Sequence, residues 1–216
     1  MGLTAKDVES IRNDKLGPKV VEAFKKRHFD AWYFSKREDA IKHLESLIPK
    51  DHVVSWGGSL TMEALGIQQM MREKYTVIDR DEGKNLEERA ELMRKAFSCD
   101  TYLTGTNAIS EDGQLVNVDG GGNRVAAMSF GPKQVIVIAG MNKIRKTSDT
   151  AIARARTIAS PANTQRFPDL KSPCNETGAC SDCISPDSVC TYIVQTRASK
   201  PKGRIKVILI NENLGL

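Results

Sequence analysis

Two periods of apolar residues alternate along the chain. Ala31 to Phe34, His52 to Trp56, Thr76 to Asp79, Thr101 to Leu103 and Gln134 to Ala139 are short β-branched or aromatic runs and read as strands. Between them apolar residues recur every three or four positions. Ser35-Lys36-Arg37-Glu38 has the form of a capping box and opens a helix whose Ala40, Ile41, Leu44 and Ile48 share one face. Leu60 to Lys74 reads as a helix interrupted at Gly66, and Asn85 to Phe97 as a strongly amphipathic one. Strands alternating with helices predict an α/β fold, a mostly parallel sheet with helices on both faces. The run QVIVIA (134–139), with almost no polar interruption, is expected at its centre, where a parallel strand is buried on both sides.

The two ends depart from this alternation. Thr4 to Asn13 and Lys19 to His28 read as two helices parted by Gly17-Pro18, a helical lead-in arm over residues 1–30. Ser148 to Ile158 reads as a basic helix ended near Ser160-Pro161. Cys190 to Gln195 and Arg204 to Ile210 form a small β-rich C-terminal portion (190–216), expected as a closing antiparallel pair or as edge strands. The 216 residues fit a single domain.

Candidate chemistry collects where strands end. Val53 to Trp56 runs into Gly57-Gly58-Ser59, with Ser59 a predicted N-cap for the next helix. Thr101 to Leu103 runs into Thr104-Gly105-Thr106-Asn107. An Asp-Gly turn at Asp112-Gly113 then predicts a hairpin, expected to project from the sheet edge. Asp119-Gly120-Gly121-Gly122-Asn123-Arg124 follows, just ahead of a short helix candidate ending at Phe130. Backbone N–H groups left uncovered by glycine suit an anion if they converge, although a glycine triplet also serves as a plain flexible turn. In a parallel sheet such strand-to-helix turns share one edge, which predicts a single shared site.

The blocks SWGGSLTMEALGI, TGTNAISEDGQLVNVDGGGNR and FGPKQVIVIAGMNKI, in this order over nearly the whole chain, closely resemble the signature blocks of the LUD-domain, or lactate-utilisation, proteins. The resemblance implies a fold like that of ribose-5-phosphate isomerase and the CoA transferases, and a link to the oxidation of lactate to pyruvate. It implies no established catalytic set. The segment PCNETGACSDCISPDSVC is similar to a cysteine-rich version found in part of that family.

Charge and cysteines refine the picture. The net charge of +5 equals the excess carried between Asn142 and Arg166, where Lys143, Arg145, Lys146, Arg154, Arg156 and Arg166 face only Asp149. That run could attract a phosphate or carboxylate, or form a solvated helix face. With 6% aromatic residues and none interleaved with the basic run, nucleic acid is not an expected partner. No stretch is long enough to span a membrane, and the N-terminal MGLTAKDVESIRNDK has no apolar core, so the chain is expected to be cytoplasmic. In that compartment Cys174, Cys180, Cys183 and Cys190 suggest ligands for an iron-sulphur cluster or zinc; buried structural or redox thiols are the alternative.

Of the polar candidates, Asp119 could serve as a general base and Lys143 or Arg124 as an anion clamp, with Asn107 and Asn123 beside them. Asn107 and Asp119 could equally do no more than close turns. His28, His43 and His52 lie outside the glycine-rich loops and support no metal or triad. Three functional readings remain open: a redox or ligand-binding component of a lactate-oxidising system that takes a small carboxylate or phosphate; a non-enzymatic assembly subunit docking an iron-sulphur protein partner; and an isomerase or transferase of the related fold. The last lacks the isomerases' paired acidic motif and an evident glutamyl nucleophile.

Overall fold

Ten strands and nine helices are present among the described residues, 2–216, of a computed structural model. Six strands form one all-parallel sheet: β1 (Asp30–Phe34), β2 (Val53–Trp56), β3 (Thr76–Ile78), β4 (Thr101–Thr104), β7 (Gln134–Gly140) and β10 (Ile205–Ile210), in the order β1-β10-β7-β4-β2-β3. The chain is thus α/β with a mostly parallel sheet. As its apolar run requires, β7 lies inside the sheet, between β10 and β4, with every residue buried. Its side chains alternate between two cores. Val135, Val137 and Ala139 pack with helix α1 (Ala5–Lys26) and helix α6 (Asn123–Ser129); Ile136 and Ile138 pack with α2 (Arg37–Ser46), α3 (Leu60–Ala64) and α4 (Ile67–Lys74). Burial of each valine or isoleucine contributes roughly 1.5–3 kcal/mol, so this strand anchors both faces.

A second sheet, in the order β8 (Ile144–Arg145), β5, β6, β9, stacks beside α1. The Asp-Gly turn joins β5 (Ala108–Ser110) to β6 (Gln114–Asp119) as a hairpin, but the hairpin does not project from an edge. Both strands are wholly buried, because both of their faces carry apolar residues. Ile109 and Leu115 join the α1 core, while Ala108, Val116 and Val118 pack on α7 (Ser148–Arg154). Arg27 pins the turn, its Nε donating to the Asp112 carbonyl at 2.6 Å.

Several boundaries differ from expectation. α1 is one helix and no lead-in arm: it runs through Pro18, and its Val20, Val21 and Phe24 belong to the core. Gly17 marks a close approach, since a Cβ there would sit 2.2 Å from the Tyr33 ring. Ser35 caps nothing; its hydroxyl donates to Asp14, and α2 starts without a side-chain cap. α5 (Leu86–Lys95) buries none of its residues. α7 does not stop at Ser160-Pro161 but continues through a π-helical stretch (155–159) into α8 (Ser160–Thr164), where Pro161 fills a first-turn position that lacks an N–H requirement. The C-terminal strands are not a pair. β9 (Tyr192–Thr196) is the edge of the second sheet, antiparallel to β6, whereas β10 is an interior strand of the main sheet, as its apolar Val207 to Ile210 demands.

Candidate functional site

Because every strand of the main sheet runs the same way, the segments that leave β2, β3, β4 and β7 emerge along one edge. Ser59 follows β2 and caps α3, its side chain accepting from the Met62 N–H at 3.4 Å. Gly105, Thr106 and Asn107 follow β4. A single turn (141–143) follows β7 and ends at Lys143. The second sheet adds the loop after β6. Together these segments line a cleft of about 280 Å³. The two glycine-rich turns, around Gly58 and Gly121, therefore face the same cavity.

Most of the residues singled out in the sequence meet there. Gly58, Ser59, Gly105, Thr106 and Asn107 form one wall; Asp119, Gly120, Gly121, Asn123 and Arg124 form another, with Lys143 between them. Three stand behind the lining. Gly57 packs against Arg124 and Tyr102, Thr104 donates to the Gly105 carbonyl, and Gly122 takes a positive φ (79°) under the Tyr192 ring. Arg80, Thr61, Asn163, Arg166 and Phe167 also line the cleft and carry no motif. For Arg166 the basic run was a signal; Arg80, in an acid-rich turn, had none.

The polar groups divide into those that build the cleft and those that face it. Asp119 accepts from the N–H groups of Gly122 (3.0 Å) and Val125 (3.2 Å), which closes the glycine turn and orders the start of α6. This is the turn-closing role. Arg124, its side chain 14% exposed, is held by several partners: Nη1 donates to Asn117 Oδ1 (2.8 Å) and the Gly105 carbonyl (3.4 Å), Nη2 to Asn107 Oδ1 (2.9 Å) and the Val118 carbonyl (2.6 Å), and Nε lies 3.6 Å from Asp119. It staples the β4–β5 loop to β6 and α6, with four of its five N–H donors committed to protein acceptors. Arg154 on α7 braces the same loop from behind by donating to the Asn107 carbonyl.

Lys143 differs from these. It is 3% exposed, its Nζ donates to Thr61 Oγ1 at 3.1 Å, and no carboxylate pairs with it among the described residues. Burial, then the neighbouring guanidinium groups of Arg154 and Arg124, lower its pKa to about 7. Arg80 has only a long contact to Asp81 (3.9 Å), and its buried Nε has no hydrogen-bond partner. Arg166, at the rim, lies 3.4 Å from Glu63. The cleft is thus cationic, and its one acidic side chain, Asp119, is occupied by backbone donors.

Gly58 sets the position of Arg80, since a Cβ at Gly58 would meet its guanidinium at 2.5 Å. Gly58→Ala is expected to push this flexible group aside. Stability should change by less than about 1 kcal/mol, while affinity for a carboxylate or phosphate should fall roughly ten-fold. Calorimetry and a melting curve on the same variant check both, and an unchanged affinity would remove Arg80 from the ligand-facing set.

None of the four clustered cysteines lines the cleft. Cys174 sits in α9 (Pro173–Thr177), its Sγ 3.5 Å from Ser172 Oγ and 3.8 Å from Thr164 Oγ1, and Cys190 Sγ is 3.1 Å from Ser188 Oγ. All four are half-buried and free, and among the described residues no three Cys, His, Asp or Glu groups gather as a ligand set. Cys99 is buried in the main core. Of the histidines, His43 packs against Trp32 and Phe34 and His52 bonds Thr101, both away from the cleft. Among the described residues no helix is long and apolar enough to cross a membrane.

These features define an α/β protein with a cationic cleft at the C-terminal edge of a parallel sheet. The LUD-domain model matches residues 17–210, and the chain belongs to that family, which makes it a protein related to lactate utilisation. A DUF162 family protein from Deinococcus radiodurans shares the fold at 13% identity and a TM-score of 0.54, covering 92% of this chain and 98% of that one. Ribose 5-phosphate isomerase from Plasmodium falciparum is a more distant neighbour, at 14% identity, a TM-score of 0.34, and coverage of 63% and 66%. No curated protein matches the sequence.

Proposed function

We propose that this chain is a ligand-handling component of lactate utilisation and that its cleft binds a small carboxylate or phosphorylated anion. The observation that carries this reading is Lys143: a buried amine on the cleft wall, hydrogen-bonded to Thr61, without an acid to neutralise it. A buried cation without a counter-ion is costly, and a bound anion supplies the missing partner. Arg80 and Arg166 extend the positive wall, and Asn163 adds an amide. The polar lining suits a hydrated metabolite better than an apolar one.

The pH dependence follows from Lys143. Its pKa, lowered to about 7, leaves it charged at pH 6 and neutral at pH 9. Affinity for lactate, pyruvate or inorganic phosphate should therefore fall as pH rises through 7, and Lys143→Met should lose about 1.5–3 kcal/mol of binding at pH 6 and much less at pH 9. Calorimetry at the two pH values is the test. None of the three anions binding at either pH would end the reading.

A further inference from the structure

Lys143 has chemistry that anion binding alone does not use. We propose that its amine condenses with the carbonyl carbon of an aldehyde or ketone that carries a carboxylate or phosphate, forming an imine within the cleft. This rests on the anion-binding reading above and deepens it.

The geometry supports a nucleophile rather than a structural cation. Lys143 follows the interior strand β7, buried at every residue and paired on both sides, and ends a tight turn. Its one hydrogen-bond partner is Thr61 Oγ1. That hydroxyl donates its own proton to the Leu214 carbonyl at 3.3 Å, so towards Nζ it acts as acceptor. A neutral Lys143 amine thus keeps its lone pair uncommitted beside the cavity. The charged groups around the cleft favour that neutral form. Arg124 from α6 and Arg154 from α7 repel the ammonium; Arg80 and Arg166 also line the cleft, Arg166 paired with Glu63 at the rim, and the acidic groups of the lining are Asp119, turned to the Gly122 and Val125 N–H groups, and the terminal carboxylate of Leu216. With the pKa lowered to about 7, about half of the amines are neutral at pH 7, where an unperturbed lysine would be almost wholly charged.

The step balances without an added oxidant or reductant. The nitrogen lone pair attacks the carbonyl carbon, a C–N bond forms, and the C=O π pair moves to oxygen. A proton passes from nitrogen to that oxygen. The hydroxyl so formed takes a second proton from solvent water and leaves as water; as the second C–O bond breaks, the nitrogen lone pair forms the C=N bond, and the iminium returns its N–H proton to solvent to give the imine. Arg80 and Arg166 hold the anionic group, and a cleft of about 280 Å³ admits a three-carbon oxo acid or a small phosphorylated carbonyl compound.

The test is reductive trapping on the full chain. Pyruvate in one arm and glyceraldehyde 3-phosphate in the other are incubated with the protein and cyanoborohydride, and the adduct is located by peptide mass mapping. Expected is one adduct per chain at Lys143, formed at least ten-fold faster than at other lysines, rising with pH from 6 to 8 with a midpoint near 7. Inorganic phosphate should protect. Lys143→Arg, shown to be folded by its melting curve, should give no such adduct; if that variant does not fold, phosphate protection of the wild-type protein takes its place. Calorimetric binding of a probe with adducts spread evenly over surface lysines would overturn the imine and leave the anion site standing. Neither binding nor a selective adduct with either probe would overturn both.

Discussion

Replacing Lys143 with methionine is expected to raise the melting temperature by about 5–10 °C at pH 6 and to leave it nearly unchanged at pH 10, each relative to the unmodified chain at that pH. The sign follows from the pKa. Folding lowers it from the ordinary 10.5 to about 7 because the amine is buried among cations. Between these values the unfolded chain holds a proton that the native chain has released, so stability rises with pH across this window. Below about pH 7 the native lysine is charged and buried, and the cost is complete. A displacement of this size corresponds to on the order of 5 kcal/mol, which relaxation and water penetration reduce to roughly 2–4 kcal/mol. Methionine fills similar space and removes the charge. The loss of the Thr61 contact is small beside that, since a neutral hydrogen bond is worth about 1 kcal/mol. Paired melting curves at the two pH values check it. An equal or lower melting temperature for Lys143→Met at pH 6 would mean that the lysine is compensated inside the fold and is not held at a cost for function.

The sequence shows the site better than it shows which residues face the ligand. Glycines and small polar residues at strand ends are local signals, and in an all-parallel sheet topology alone brings the ends of β2, β4 and β7 to one edge. Gly58, Gly105, Gly121 and Lys143 could therefore be placed together before any coordinates. The direction of a long side chain is a different matter. Arg124 beside a glycine triplet looks like an anion clamp, yet four of its five donors are turned to β6 and the β4–β5 loop by Asn107, Asn117 and two carbonyls that no local pattern reveals. Arg80 reaches the cleft because Gly58 leaves room for it, a contact across 22 positions of sequence. The same limit applies to elements. An apolar run such as Val207 to Ile210 announces a buried strand, but its insertion between β1 and β7 is decided by long-range pairing. Gly17-Pro18 resembles a stop because both residues disfavour helix, whereas packing against Tyr33 requires the glycine and carries α1 through the proline.

Arg124→Ala is expected to destabilise the chain by about 3–5 kcal/mol, with the loss of ligand binding following from the loss of structure. The guanidinium is largely enclosed, its side chain 14% exposed, and truncation would leave Asn117 Oδ1 without a donor, remove one donor from the Val118 carbonyl, and reduce Asn107 Oδ1 and the Gly105 carbonyl to the bonds from the Val118 N–H and the Thr104 hydroxyl. It would also leave Asp119, 9% exposed, without its neighbouring cation. Each stranded buried acceptor costs about 1–3 kcal/mol, moderated where a water can enter the space vacated. Arg124→Lys should rescue little, because one ammonium cannot reproduce a planar fork that reaches four acceptors on two segments. Lys143→Met gives the contrast: that change strips affinity from a more stable protein, whereas Arg124→Ala lowers the denaturation midpoint first. Urea unfolding of both variants beside anion binding separates the two roles. An Arg124→Ala protein with an unchanged midpoint and a selective loss of anion affinity would return Arg124 to the ligand-facing set and require its bonds to Asn107 and Asn117 to open when the ligand binds.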